Sequence, residues 1–398
     1  MSKTPSTTDA ARARLQRLEG FIERDPDNVN LLADAAECAL SQGDLPRARE
    51  HLQRALELAP GNAPLKQQLS SVAIAEGNFD DGLALTAALL DDGVDEAAVR
   101  FNHAFALVSL QRHEEALPML ARLHDEQVPY PMVVRLLIRC HHYLGDLDEA
   151  IAVADAHLAA HGDDADVAGM LALLHFDNED FGAARTWGAR ALGGAPDNLD
   201  ALLAAGMVAL SDEEVDAGKA LLQRAVSAQP RNGRAWAGLG LAEMMTFDLP
   251  AAERMFGQAV KNMPTHIGSW HTLGWVQLLQ GQVDAAEASF RAAFDIDDTF
   301  GESHGALAAV AATRGEWDKA ERLAEVAKRL DPESMSVRYV DLLKAHRDAP
   351  MDPAVTQRFL RQVLQATRAP GGTGTLADMA ERLGVRGAMK SSDGQSRS

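Results

Sequence analysis

The sequence predicts an all-α solenoid of about nine helix–turn–helix units closed by helical caps, and three observations carry that prediction. The first is a 34-residue register: Trp236, Leu239, Gly240, Ala252, Phe256 and Ala259 recur as Trp270, Leu273, Gly274, Ala286, Phe290 and Ala293, and Pro264 is matched by Asp298. The second is a column of small residues at the same spacing: Ala48, Gly82, Ala116, Ala150, Ala184, Gly218, Ala252, Ala286 and Ala320. An unbroken column of that length exceeds what an alanine-rich composition gives by chance. The third is punctuation. Gly43-Asp44, Gly77-Asn78, Gly145-Asp146, Gly281-Gln282 and Gly315-Glu316 mark mid-unit turns, and Pro60/Asn62, Pro196/Asn198 and Pro230/Asn232 mark a helix stop followed by an N-cap.

In chain order, residues 1–28 are expected to form an N-terminal capping helix, over about residues 8–24. It ends in Asp25-Pro26-Asp27-Asn28, which mimics a junction between units. Units start at Val29, Ala63, Ala97, Pro131, Ala165, Leu199, Gly233, Ile267 and Gly301, so the array occupies 29–334. Each first helix carries apolar or small residues at i, i+3, i+4 and i+7, one buried face, with Trp236 and Trp270 expected in the core. Gly206, Gly240 and Gly274 are expected to face the columns of Ala252 and Ala259 and let the helices close up. Residues 335–369 are expected to be C-terminal capping helices. The first covers Ser336–His346 (Val337, Val340, Leu342, Leu343) and the second runs from Asp352-Pro353 to about Arg368 (Phe359, Leu360, Val363, Leu364). Pro370–Gly374 then breaks the chain, and 370–398 reads as a flexible tail with a short helix at Leu376–Leu383.

The order Trp, Leu-Gly, Ala, Phe, Ala, Pro in the Gly233 and Ile267 units resembles the tetratricopeptide repeat family, and the resemblance extends over about three quarters of the chain. It implies a right-handed superhelix whose first helices line a concave face on which partners bind.

The net charge of −20 is unevenly spread. Residues 356–398 hold seven Lys/Arg against three acids and residues 1–28 hold five of each, which leaves −24 on the body. Such a body argues against nucleic acid and anionic membrane as partners. Two cysteines three units apart, Cys38 and Cys140, imply no disulfide framework. No 18-residue apolar run or signal peptide is evident, so a cytoplasmic setting is the default expectation.

Signatures of chemistry are near misses. His157 and His161 have helical metal-ligand spacing but no third ligand nearby, and His157 falls in a column otherwise filled by Ala191, Ala225 and Ala259. His141 and His142, being adjacent, point to different faces. Gly384–Ser391 lacks the glycine before lysine and the preceding strand that a phosphate loop needs. The chain therefore reads as non-enzymatic, with no cofactor and no metal.

Side chains roughly opposite the buried stripe of the first helices form the candidate site. They are Phe101, Phe105, Arg135, Arg139, Tyr143, Phe176, Met207, Leu241, Met244, Met245 and Trp275, with Val108, Leu210 and Leu278 the readiest to pack against a neighbouring unit instead. Large apolar groups on such a face call for a partner, and Met and aromatic groups accept varied side chains. Ala33, Glu37, Gln67 and Ser71 depart from the Lys/Asn pattern with which chaperone-binding relatives clamp a C-terminal carboxylate. The expected function is a protein-interaction scaffold or adaptor that holds a protein or peptide segment with apolar anchors and an acidic residue. A holding chaperone for an exported or envelope protein and a regulatory subunit of a separate enzyme are the alternatives. Oligomeric state has no signal in the sequence.

Overall fold

A computed structural model describes residues 7–332 and 334–345 of the chain, and those residues form twenty α-helices. Helix α1 (Thr7–Ile22) precedes nine pairs: α2 (Val29–Leu40) with α3 (Leu45–Leu58), α4 (Ala63–Ala75) with α5 (Phe79–Asp91), α6 (Ala97–Ser109) with α7 (His113–Asp125), α8 (Pro131–Leu144) with α9 (Leu147–His161), and α10 (Ala165–Asp177) with α11 (Phe181–Gly194). There follow α12 (Leu199–Ser211) with α13 (Val215–Ala228), α14 (Gly233–Met245) with α15 (Leu249–Asn262), α16 (Ile267–Leu279) with α17 (Val283–Ile296), and α18 (Gly301–Thr313) with α19 (Trp317–Leu330). Each first helix starts where the register places it. Helix α20 (Met335–Ala345) opens at the start of what would be a tenth unit. The helices expected at 352–368 and Leu376–Leu383, and the tail, lie outside the described residues. The chain divides into two compact units, Met1–Gly162 and Asp163–Ser398, here unit 1 and unit 2.

Helix boundaries follow from local chemistry. Asn28, Asn62, Asn198 and Asn232 cap first helices by accepting the backbone N–H three residues on, at 3.2, 3.2, 2.9 and 2.9 Å. Asp44, Asp180 and Asp248 do the same for second helices. Between the two helices of every pair one residue turns left-handed. Gly43, Gly77, Gly145, Gly281 and Gly315 hold that position in five pairs, and Gln111, Glu179, Glu213 and Phe247 hold it in the other four, with φ between 60° and 66°. The spacing is again 34 residues. An L side chain there is strained and glycine is not.

The small-residue column is buried throughout, from Ala48 to Ala320. Gly206 faces the small-residue column as expected, a Cβ on Gly218 lying 3.0 Å from the Gly206 carbonyl oxygen, but the nearest neighbour of Gly206, Gly240 and Gly274 is a larger group. They face the large residue in the middle of their own second helix: a Cβ on them would lie 2.8 Å from Leu222, 2.7 Å from Phe256 and 2.5 Å from Phe290. Phe290 is fully buried against this gap, and truncating such a side chain to alanine costs roughly 3–5 kcal/mol. Trp236 and Trp270 are half-buried, not core, because each indole lies along the edge of the helix pair with its N–H directed at a junction carbonyl.

Candidate binding surface

Counting from the first residue of each unit, positions 2, 5, 9, 12 and 13 of the first helices lie roughly opposite the stripe at 4, 7, 8 and 11, and are called the inner face below. What each unit does with that face differs.

In unit 1 the face is aromatic and then cationic. The Phe101 and Phe105 rings are half-buried, 6.1 Å apart and tilted, flanked by Phe79 at 6.4 Å from Phe105 and Tyr130 at 5.2 Å from Phe101. Their outward edges are held up by the buried layer of Ala104, Leu107, Leu120, Leu136 and Leu137 beneath. Beside the row, Asn102 donates from Nδ2 to Ser71 Oγ at 2.9 Å and ties α6 to α4. The next first helix, α8, presents Met132 (41% exposed), half-buried Arg135, exposed Arg139 and Tyr143 (60% exposed). Tyr143 stacks on His113, centroids 4.4 Å apart and 8° from parallel. Burial first, and the nearby Arg139 charge second, push the His113 pKa below its ordinary value, which favours the neutral ring. Cys140 lies beneath, its Sγ 3.9 Å from His113 Nδ1. Burial pushes its thiol up to about 11, which removes it as a nucleophile.

In unit 2 the face is largely consumed by the fold. Met245 is buried (4%) and joins the core of Leu202, Leu210, Leu222 and Leu239, so it is not available to a partner. The reason is that the core cluster it joins draws on α12, α13 and α14, which together cover its side chain. Phe176, Met207, Leu241 and Met244 are half-buried. Phe176 meets Phe181 edge-on at 5.6 Å, and Met207 fills the space over Gly238. Leu173, Leu203, Leu210 and Leu278 are buried, as is Val108 in unit 1. Trp275 packs edge-on to Phe290 at 5.5 Å and to Tyr339 of α20 at 5.6 Å.

Two close approaches explain the loss. At position 5, α10 has Gly169, where a Cβ would overlap Asn198 Oδ1, and α18 has Gly305, where a Cβ would lie 2.6 Å from Ser336 Cβ. Each glycine lets the next first helix move in, and groups two units apart then meet over the face. Arg234 Nη2 reaches Asp177 Oδ1 at 2.6 Å in one case, and Tyr339 reaches Trp275 in the other. The sequence reading missed Met132, Tyr130, His113 and Tyr339. The glycines at position 5 were the available signal for the closed part.

His157 is half-buried and stacks on His161 at 4.6 Å; no cluster of three metal-ligating side chains occurs among the described residues. Both cysteines are free thiols. No helix of the described residues is long and apolar enough to cross a membrane.

Models of the tetratricopeptide repeat match residues 39–100 and 107–174, 8–63 and 203–266, and 267–300. No curated protein sequence matches the chain at a significant level. Among solved structures, the human IFIT1 dimer with m7Gppp-AAAA is 13% identical with a TM-score of 0.55, covering 94% of this chain and 93% of that one. YrrB, described as a tetratricopeptide protein with an unusual peptide-binding site, is 19% identical with a TM-score of 0.39 over 47% of this chain and 97% of its own. PilF of Pseudomonas aeruginosa is 16% identical with a TM-score of 0.45, over 52% of this chain and 94% of its own. The IFIT1 likeness is one of fold.

Proposed function

Because this chain belongs to the tetratricopeptide repeat family, a fold that presents helical surfaces to other proteins, we propose that it is a non-catalytic scaffold holding a segment of a partner protein on the inner face of unit 1. The observation that carries this reading is the exposure of Tyr143 and Arg139 beside the Phe101–Phe105–Tyr130 row. An aromatic ring that is 60% exposed loses water contact favourably when a partner covers it. Arg135 and Arg139 add charge that the acidic body lacks elsewhere on this face, which suits a segment bearing an acidic residue among apolar anchors. Such recognition matches the way short segments dock into grooves: anchors give affinity and one charge fixes direction.

The test is comparative capture from the native cell with the whole chain, Tyr143→Ala and Arg139→Glu as parallel baits. The partner is a protein retained by the first and lost by both variants. Retention of the same proteins by all three baits at equal yield refutes the site.

A further inference from the structure

Helix α20 rests on the inner face of unit 2, and the contacts that hold it describe a ligand. Glu302, at position 2 of α18, accepts the backbone N–H of Met335 at 2.6 Å and of Ser336 at 3.2 Å, and also the Ser336 hydroxyl. A carboxylate at the first turn satisfies donors that have no partner inside the helix and complements its positive end. One turn along, Gly305 leaves room for Ser336 and for nothing larger. Tyr339 is then buried (3%), edge-on to Trp275, its hydroxyl hydrogen-bonded to Thr313. Val340 and Leu343 complete the buried side. Ser336, Tyr339, Val340 and Leu343 stand at i, i+3, i+4 and i+7, the anchor pattern of a helix laid in a groove. Toward α19 the helix offers two ion pairs between exposed side chains, Lys328–Asp341 and Lys344–Glu321, which add little. At eleven residues α20 is too short to stay helical in water by itself, so the site imposes its conformation.

We propose that the inner face of α16 and α18 is a helix-binding site, that α20 is its resident occupant, and that a partner's amphipathic helix of the same pattern exchanges with it. The pattern is a small hydroxyl residue in the first turn, tyrosine three residues on, an aliphatic after it and leucine at the seventh step. The first turn carries no acid, since Glu302 already faces it. A short connection from Leu330 to Met335 keeps α20 at high effective concentration over the site, so the partner helix must bind strongly or arrive tethered. The proposal rests on the reading that inner faces receive partner segments, but it is tested without any partner.

The test uses the full chain with a protease site inserted after Pro332, and a fluorescent peptide of residues 334–346. After cleavage, the labelled peptide is expected to bind saturably and release the native segment while the rest of the chain keeps its helicity. Uncleaved protein is expected to bind it at least about tenfold more weakly, and a peptide with Tyr339→Ala should lose at least about tenfold, as a buried aromatic anchor does. In uncleaved protein, Ser336→Glu sets a second carboxylate against Glu302 and should raise peptide affinity to that of the cleaved chain. Unfolding of unit 2 on cleavage together with no binding to the Ser336→Glu protein overturns the proposal and makes α20 a fixed cap. Equal binding by the Tyr339→Ala peptide also overturns it. Neither result touches the Tyr143 and Arg139 site of unit 1, whose baits report separately.

Discussion

The indole Nε1 of Trp236 donates to the carbonyl oxygen of Pro230 at 2.9 Å, closing the junction between α13 and α14 with a side chain. The bond recurs one unit on, from Trp270 to Pro264 at 2.8 Å, and again from His304 Nε2 to the Asp298 carbonyl at 2.7 Å. Three consecutive units thus use a ring N–H at position 4 to satisfy a carbonyl that the stopped second helix leaves open. The same position in unit 1 is met differently: buried Arg100 donates to the Asp95 carbonyl at 2.8 Å and pairs with Asp95 and Glu126.

Trp236→Phe keeps much of the packing and deletes the bond, so it should cost about 1 kcal/mol. Trp236→Ala should cost about 3 kcal/mol, at the low end for an aromatic truncation because the ring is half-buried. Urea titration followed by far-ultraviolet circular dichroism measures both. Equal losses would mean that the indole N–H contributes nothing.

At the left-handed position, Glu213→Gly should stabilise by about 0.5–1 kcal/mol through relief of Cβ strain, reduced by the added freedom of the unfolded chain. Gly281→Ala should destabilise by about 1 kcal/mol for the converse reason. Shifts in thermal midpoint of opposite sign are the expected result.

The register, the helix starts and the caps were legible because each depends on a few neighbouring residues: Asn198 caps α12 whatever surrounds it. The inner face was less legible. Whether Met207 or Trp275 is offered to a partner depends on what the next first helices bring against it: Gly238 receives the Met207 sulfur, and Gly305 lets Tyr339 reach Trp275, and neither glycine belongs to a buried stripe. Met245 illustrates the difference, since helical phase alone places it on the surface and its neighbours bury it. In unit 1, where position 5 holds Phe101 and Arg135, phase and exposure agree better, and Arg139 and Tyr143 are exposed as expected.

Gly169→Ala should destabilise unit 2 by about 1–2 kcal/mol, because the new methyl must expel Asn198, which caps α12 through Ala201 N–H at 2.9 Å. The double variant with Asn198→Ala should lose less than the sum of the two single changes, since both remove the same cap. Full additivity in a double-mutant cycle would show that Asn198 is not what the glycine accommodates.

His271 gives a pH signature. It is buried with Nε2 2.9 Å from Ser303 Oγ, and burial pushes its pKa down from 6.5 to about 4. Below pH 6.5 the unfolded chain takes up a proton that the folded chain refuses. Stability therefore falls as pH drops from about 6.5 to about 4 and this contribution is flat below that, a loss of roughly 3 kcal/mol in all. His271→Gln should remove this slope, measured as the difference from the parent between pH 7 and pH 4, where other groups cancel.

Position 5 gives the array a gauge that can be reset one residue at a time. Where it is glycine the next first helix closes in, and where it is Leu203 or Phe101 the side chain acts as a spacer of its own thickness. The room available to a guest within each compact unit is in this sense written locally. An engineer could narrow a chosen step with a single glycine, or widen the step at Gly305 with a leucine and evict α20 without altering a residue of the helix itself.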